Sequence, residues 1–189
     1  MFGYAGSGEK YQLPDVMCRL FRRIHDRFPH AFFLILSHDR DAFVRHLAAE
    51  GLDPSSYRLQ GVERADVSGW LQTADIGFLM RDDSIVNRVA SPTKFAEYCA
   101  SGLPVITTAH VGDISGIVGR HKLGLIVDAA NASVDASLAA FIEDVEANRS
   151  AYRDRCAVWA REHMSWSTFG GTVAGIYRSL AADAAAARS

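Results

Sequence analysis

The chain has 189 residues, with 20 Lys+Arg against 22 Asp+Glu and a formal charge of -2. Hydrophobic residues at 49% and charged residues at 22% describe a globular chain long enough to bury a core, and they exclude wholesale disorder. The charge balance also excludes a strongly basic nucleic-acid binder, while leaving room for a small local basic site.

In chain order, Phe2–Ser7 reads as a strand ending in a Gly-rich turn. Leu13, Val16, Met17, Leu20, Phe21, Ile24 and Phe28 recur at helical spacing and predict an amphipathic helix. Phe32–Leu36 is a continuous apolar run, as expected of a strand covered on both faces. Asp41–Glu50 reads as a helix stopped by Gly51, Tyr57–Val62 as a weaker strand, and Val67–Ala74 as a short helix. Ile76–Met80 is the next buried strand, and Arg81–Ala90 is polar and irregular. Ser91-Pro92 suits a helix start, with Ser91 as N-cap and Pro92 at the first helical position; that helix is expected to reach Ser101 and stop at Gly102. Pro104–Thr108 and Leu123–Val127 read as strands flanking a short helix over Ile114–Val118.

After Asp128 the pattern is helical only. Val134–Val145, Tyr152–Trp159 and Phe169–Leu180 each present one apolar face, and the Ala-rich Ala181–Ser189 is expected to fray. Trp70, Trp159 and Trp166 sit at helical spacing among apolar residues and are expected in the core.

Alternating strands and helices predict an α/β fold: a Rossmann-like parallel sheet of about six strands with helices on both faces. In such sheets ligands bind beyond the carboxyl ends of the strands, where strand order reverses. The loops Gly6–Lys10, Gly61–Asp66, Arg81–Lys94 and Ala109–Asp113 fall there.

Cys18, Cys99 and Cys156 are far apart and form no C-x-x-C pair, so they are expected as small buried residues in a reducing compartment. The seven histidines show no H-x-x-x-H or H-E-x-x-H spacing, so no metal site is expected. No apolar run is long enough to span a bilayer. Met1–Lys10 lacks the features of a signal peptide, and the expectation is a soluble cytoplasmic protein. Arg19, Arg22, Arg23 and Arg27 make a basic stretch on the first helix, read first as a solvated face.

The most informative segment is Ser91-Pro92-Thr93-Lys94-Phe95-Ala96-Glu97-Tyr98, continuing to Gly102-Leu103-Pro104-Val105-Ile106. It places a helix N-terminus, with its free N–H groups and dipole, at the mouth of the sheet, which suits phosphate. Lys94 in the first turn opposes the helix dipole, so it needs a compensating anion. Glu97 lies three residues on, on the same face, where its carboxylate can accept from two adjacent sugar hydroxyls. By charge spacing alone, the favoured reading of Lys94 and Glu97 is an exposed pair worth about 0.2–0.5 kcal/mol.

Ser91–Ile106 resembles the donor-binding signature of group 1 (family 4-like) nucleotide-sugar glycosyltransferases of the GT-B fold. Tyr4-Ala5-Gly6-Ser7, Val62–Ala74 with Asp75-Ile76-Gly77, Val111–Ile114, Leu123–Val127 and His163–Trp166 resemble further segments of that family in the right order. The resemblance implies that Glu97 binds the donor ribose. It gives the diphosphate to Lys94 and the backbone of Ser91, Pro92 and Thr93, with Gly6, Ser7 and Lys10 approaching from the first loop. Val62 and Arg64 would face the base. It names no catalytic residue, metal or cofactor; the nucleoside diphosphate sugar is the substrate. It further implies a division into a donor-binding domain, 1–166, and a C-terminal helix and tail, 167–189. The N-terminal acceptor domain is expected to be absent, and the isolated domain to be inactive. The full enzyme would act in polysaccharide or lipid-linked glycan synthesis, with peripheral contact at the inner face of the membrane. Two departures stand out. Many relatives carry a second Glu eight positions before the ribose Glu, where this chain has Val89, with Asp82 and Asp83 out of register. The family's Arg and Lys of the glycine loop have no clear counterparts. A nucleotide-sugar epimerase of the same architecture and a non-catalytic nucleotide- or protein-binding module are the alternative readings.

Overall fold

The computed structural model describes residues 1–130 and 134–186. Six parallel strands form one sheet: β1 Phe2–Ala5, β2 Phe33–Leu36, β3 Tyr57–Gln60, β4 Ile76–Leu79, β5 Val105–Thr108 and β6 Gly124–Val127, in the spatial order β3-β2-β1-β4-β5-β6. The helices between them are α1 Pro14–Arg27, α2 Arg40–Ala49, α3 Val67–Leu71, α4 Ile85–Arg88, α5 Thr93–Ala100 and α6 Ile114–His121. Three more follow: α7 Ala136–Ala147, α8 Arg149–His163 and α9 Trp166–Ala186.

The two-residue period of a strand sorts the apolar side chains to the two faces. Phe2, Tyr4, Phe33, Ile35, Ile76, Phe78 and Ile106 join one core with α1, α2 and α7. Leu34, Leu36, Leu79 and Val105 join the other with α5, α6 and α8. In α1 the predicted positions Val16, Met17, Leu20, Phe21 and Ile24 are all buried, each contributing about 1.5–3 kcal/mol relative to exposure. Gly77 lets α5 lie tightly on β4, because a Cβ there would come 2.8 Å from the Tyr98 ring. Cys18, Cys99 and Cys156 are free and buried.

Several expectations need adjusting. α5 begins one residue later than the Ser-Pro signal suggests: Pro92 is the N-cap, with extended backbone (φ -64°, ψ 120°), and Ser91 lies outside the helix, exposed. Proline's fixed φ suits either position; its ψ of 120° is what keeps Pro92 out of the helix and leaves Thr93 as the first helical residue. The irregular segment after β4 contains α4, whose N-cap Ser84 accepts from the Asn87 amide. Trp159 is buried and Trp70 half-buried, but Trp166 is 84% exposed. It opens α9, a helix that packs against α8 and turns Phe169, Ile176, Tyr177 and Leu180 outward as well. The Ala-rich end stays helical to Ala186, as alanine's high helix propensity favours, and residues 187–189 lie outside the described part. The amphipathic helix expected from Val134 starts at Ala136, capped by Asp135, whose carboxylate accepts from the Leu138 amide. Among the described residues no helix is long and apolar enough to cross a membrane.

Candidate functional site

Strand order runs outward in opposite directions from β1 and β4, so the chain's crossover leaves a crevice above their carboxyl ends. A cleft of about 490 Å³ lies there. Gly6, Ser7, Val62, Arg64, Thr93, Lys94 and Glu97 all line it, brought together from three separate stretches of sequence. Lys10 is exposed on a short 3₁₀ turn, Lys10–Gln12, and lies outside the cleft lining, as do Ser91 and Pro92.

Each wall has a local cause. Pro92 has no side-chain oxygen with which to cap α5, and the Phe95 amide is already bonded to the Pro92 carbonyl at 3.1 Å. The amides of Thr93 and Lys94 are therefore the unsatisfied first-turn donors, and they open at the cleft. Glu97 follows one turn along, exposed at the rim. The β1 loop opposite is anchored by Asp39, whose carboxylate accepts from the Gly8 amide at 2.8 Å. The far wall is tied by His38, whose Nε2 meets the Val62 carbonyl at 3.1 Å; a side chain at Gly61 would strike this imidazole.

Lys94 is the centre of the arrangement. Its ammonium reaches across the junction to β1, donating to Tyr4 Oη at 3.2 Å and to Gln12 Oε1, and it lies 4.6 Å from the centroid of the Tyr4 ring. Gln12 Nε2 donates in turn to Ser7 Oγ. The Tyr4 hydroxyl has one proton to give and two acceptors at hand, the Ser7 carbonyl at 2.6 Å and Gln12 Oε1 at 2.7 Å. Gly6 is required by this crossing: a Cβ there would coincide with the Lys94 ammonium and approach Tyr4 Oη to 2.9 Å. Tyr98, one residue past Glu97, accepts the Ala5 amide at 3.0 Å and locks α5 to the end of β1.

The electrostatics are unbalanced. Burial, then the nearby Arg81 guanidinium, pulls the Lys94 ammonium down to about 7, against a smaller opposing effect of Glu97. Tyr4, which could neutralise it as a phenolate, is itself held well above the usual tyrosine range by burial and by Tyr98. Among the described residues no carboxylate forms an ion pair with Lys94. A part-buried cation with only neutral hydrogen-bond partners lies here beside free helix amides, which makes the cleft a candidate anion site.

His38 and Asp39 were not expected from the sequence as parts of this site; Tyr4 entered only within the first-strand segment, Arg81 only as the first residue of the loop Arg81–Lys94, and Gln12 was not named as a site residue. Gln12 carried one usable signal, a lone polar residue at the edge of an apolar helix pattern. The others look like ordinary strand or loop residues until the crossover brings them together.

The fold and cleft thus define a doubly wound α/β domain with a candidate ligand cleft at its switch point. The sequence matches the family model "Glycosyl transferases group 1" over residues 1–145, and the chain belongs to that family. Solved structures agree on the fold. Anabaena Alr3699/HepE in complex with UDP is 13% identical with a TM-score of 0.71, the match covering 94% of this chain and 48% of that one. The pneumococcal O-GlcNAc transferase GtfA in complex with UDP and GlcNAc is 16% identical (TM-score 0.69, 95% and 35% covered). WaaG, a glycosyltransferase of lipopolysaccharide biosynthesis, is 17% identical (TM-score 0.65, 90% and 45% covered). The chain therefore spans half or less of the length of these three relatives. No curated protein matches the sequence.

Proposed function

We propose that this chain is the donor-binding part of a glycosyltransferase, holding a nucleoside diphosphate sugar in the β1–β4 cleft for transfer to a glycan or lipid-linked acceptor. The observation that carries the reading is the junction of Lys94 and the uncapped α5 amides with the Gly6-Ser7 loop, one helical turn from Glu97. The diphosphate lies against Lys94 and the Thr93 and Lys94 amides. Glu97 accepts from the ribose hydroxyls, and the base points to Val62 and Arg64. During transfer the bond from the anomeric carbon to the diphosphate oxygen breaks, and negative charge builds on the departing phosphate. Lys94 and the α5 dipole stabilise that charge, so the domain needs no metal ion of its own.

Two relatives of this fold hold UDP in their structures, which makes UDP the first probe. The domain comprises residues 1–166, with 167–189 as a C-terminal helix and tail. The acceptor-binding wall belongs to a part outside this chain, and transfer requires that wall for positioning and exclusion of water. The whole enzyme works in the cytoplasm on polysaccharide or lipid-linked glycan synthesis.

Titration calorimetry with UDP, GDP, ADP, CMP and TDP tests the reading. One nucleotide is expected to bind, and Glu97→Ala to weaken it by roughly 1.5–3 kcal/mol, the range for a hydrogen bond to a charged group. Unchanged binding by Glu97→Ala would refute the ribose assignment; no binding by any nucleotide would refute the donor site.

A further inference from the structure

We propose that Arg81 is a second phosphate-binding cation, forming with Lys94 a two-point clamp across the β1–β4 junction for a diphosphate. The inference rests on the donor reading above and deepens it, adding a residue at the carboxyl end of β4.

Four observations converge on Arg81. Its backbone is fixed: the amide donates to Thr108 Oγ1 at 3.0 Å, and Thr108 Oγ1 donates back to the Arg81 carbonyl at 2.7 Å. Its guanidinium stacks on the Tyr11 ring, 4.9 Å from the centroid, on the same 3₁₀ turn that supplies Gln12 to Lys94. Its Nε is buried without a hydrogen-bond partner. And among the described residues it forms no ion pair, although Asp82 and Asp83 follow it directly: Asp82 accepts from Asn87, and Asp83 is taken by Arg88 at 2.7 Å. The neighbouring carboxylates are thus committed elsewhere, and Arg81 keeps its charge.

That charge falls on Lys94, whose ammonium it destabilises. Two like charges held close on a rigid frame cost energy unless an anion joins them. A diphosphate carries separate acceptor oxygens for each, and a guanidinium offers the planar fork that suits phosphate. A cation–π contact on the exposed Tyr11 ring is weaker than a charge-assisted hydrogen bond, so the guanidinium is free to turn toward the ligand.

The test is calorimetry of the whole chain with inorganic pyrophosphate and with UDP, at several pH values from about 6 to about 8, for wild type, Arg81→Gln and Arg81→Lys. Burial, Arg81 and Glu97 set the titration of Lys94; the Tyr4 hydroxyl it meets is in turn flanked by Tyr98, Arg81, Tyr11 and Asp39. Arg81→Gln is expected to weaken both ligands by about 10- to 150-fold, the range for a hydrogen bond to a charged group. It is also expected to move the pH at which affinity falls upward, because Lys94 no longer faces a like charge. Arg81→Lys keeps the charge and loses the fork, so it should recover part of the affinity. A merely structural arginine would lower thermal stability while leaving the affinity of the folded variant for pyrophosphate and UDP unchanged.

Wild-type affinity and an unmoved midpoint in Arg81→Gln would overturn the clamp. If that variant fails to fold, wild-type affinity of Arg81→Lys for both anions would overturn it instead. Pyrophosphate binding that needs Arg81, with none of UDP, GDP, ADP, CMP and TDP tighter than pyrophosphate, would support the clamp and refute the donor reading. Failure of wild type to bind pyrophosphate or any of these nucleotides would refute both.

Discussion

Two regions of this molecule are rich in cations, and they are put to opposite uses. The α1 face carries Arg19, Arg22, Arg23 and Arg27 within three turns. Arg19 reaches Asp15 at 3.6 Å and Glu50 at 3.5 Å; Arg22 pairs with Asp26 at 2.9 Å and donates to the Gly51 carbonyl at 2.8 Å; Arg27 lies 3.9 Å from Glu143. These contacts staple α1 to the end of α2 and to α7. The β1–β4 junction carries Lys94 and Arg81, and among the described residues neither forms an ion pair with a carboxylate. Density of positive charge along the sequence therefore marks a scaffold here, while the sparse pair marks the site. The difference is neutralisation: a surface arginine beside carboxylates is stable as it stands, whereas a buried, unmatched lysine costs free energy that a bound anion offsets. The basic stretch is accordingly a weak basis for membrane contact.

The sharpest way to break this comparison is Lys94→Met. UDP binding is expected to fall by roughly 1.5–3 kcal/mol, while thermal unfolding without ligand should show the domain no less stable, because an apolar stem replaces a buried cation. The sign is fixed by linkage. Lys94 titrates near 7 in the folded chain against 10.5 in its ordinary state, so the unfolded chain binds more protons between those values and wild-type stability rises with pH there. The methionine variant should lose that slope. A Lys94→Met domain that still binds UDP would remove the distinction between the two regions.

Gly6→Ala attacks the same site from the opposite wall. The added methyl must displace the Lys94 ammonium, at about 1–3 kcal/mol of overpacking, and calorimetry should show binding lost along with stability. For the unaltered protein, UDP affinity is expected to decline as pH rises through about 7, where Lys94 loses its proton; a flat profile from pH 6 to pH 8 would mean that Lys94 does not hold the anion. The smallest effect belongs to the scaffold: Arg22→Ala should cost at most about 1 kcal/mol, as exposed pairs do, and leave UDP binding unchanged.

How much of this was legible in advance differs between fold and site. The strands over Phe33–Leu36 and Ile76–Leu79 and the helix α1 follow from apolar periodicity alone, since burying those faces decides their placement. The signature helix was visible from Lys94, Glu97 and Gly102, although proline shifted its first residue. Trp166 shows the limit of periodicity, which identifies an apolar face but not whether anything covers it.

Within the site, local chemistry was readable and long-range chemistry was not. The sequence by itself determined the α/β alternation, the helix start above the sheet, and the presence of Lys94 and Glu97 one turn apart, because each depends on neighbours a few residues away. Only the tertiary structure decided what Lys94 faces. Tyr4 and Gln12 stand 90 and 82 positions before it, and the β1–β4 pairing sets Arg81 beside the same ammonium. A cation's pKa and its need for an anion depend on charges and burial within a few ångströms in space, and the crossover between β3 and β4 is what converts those sequence distances into contact.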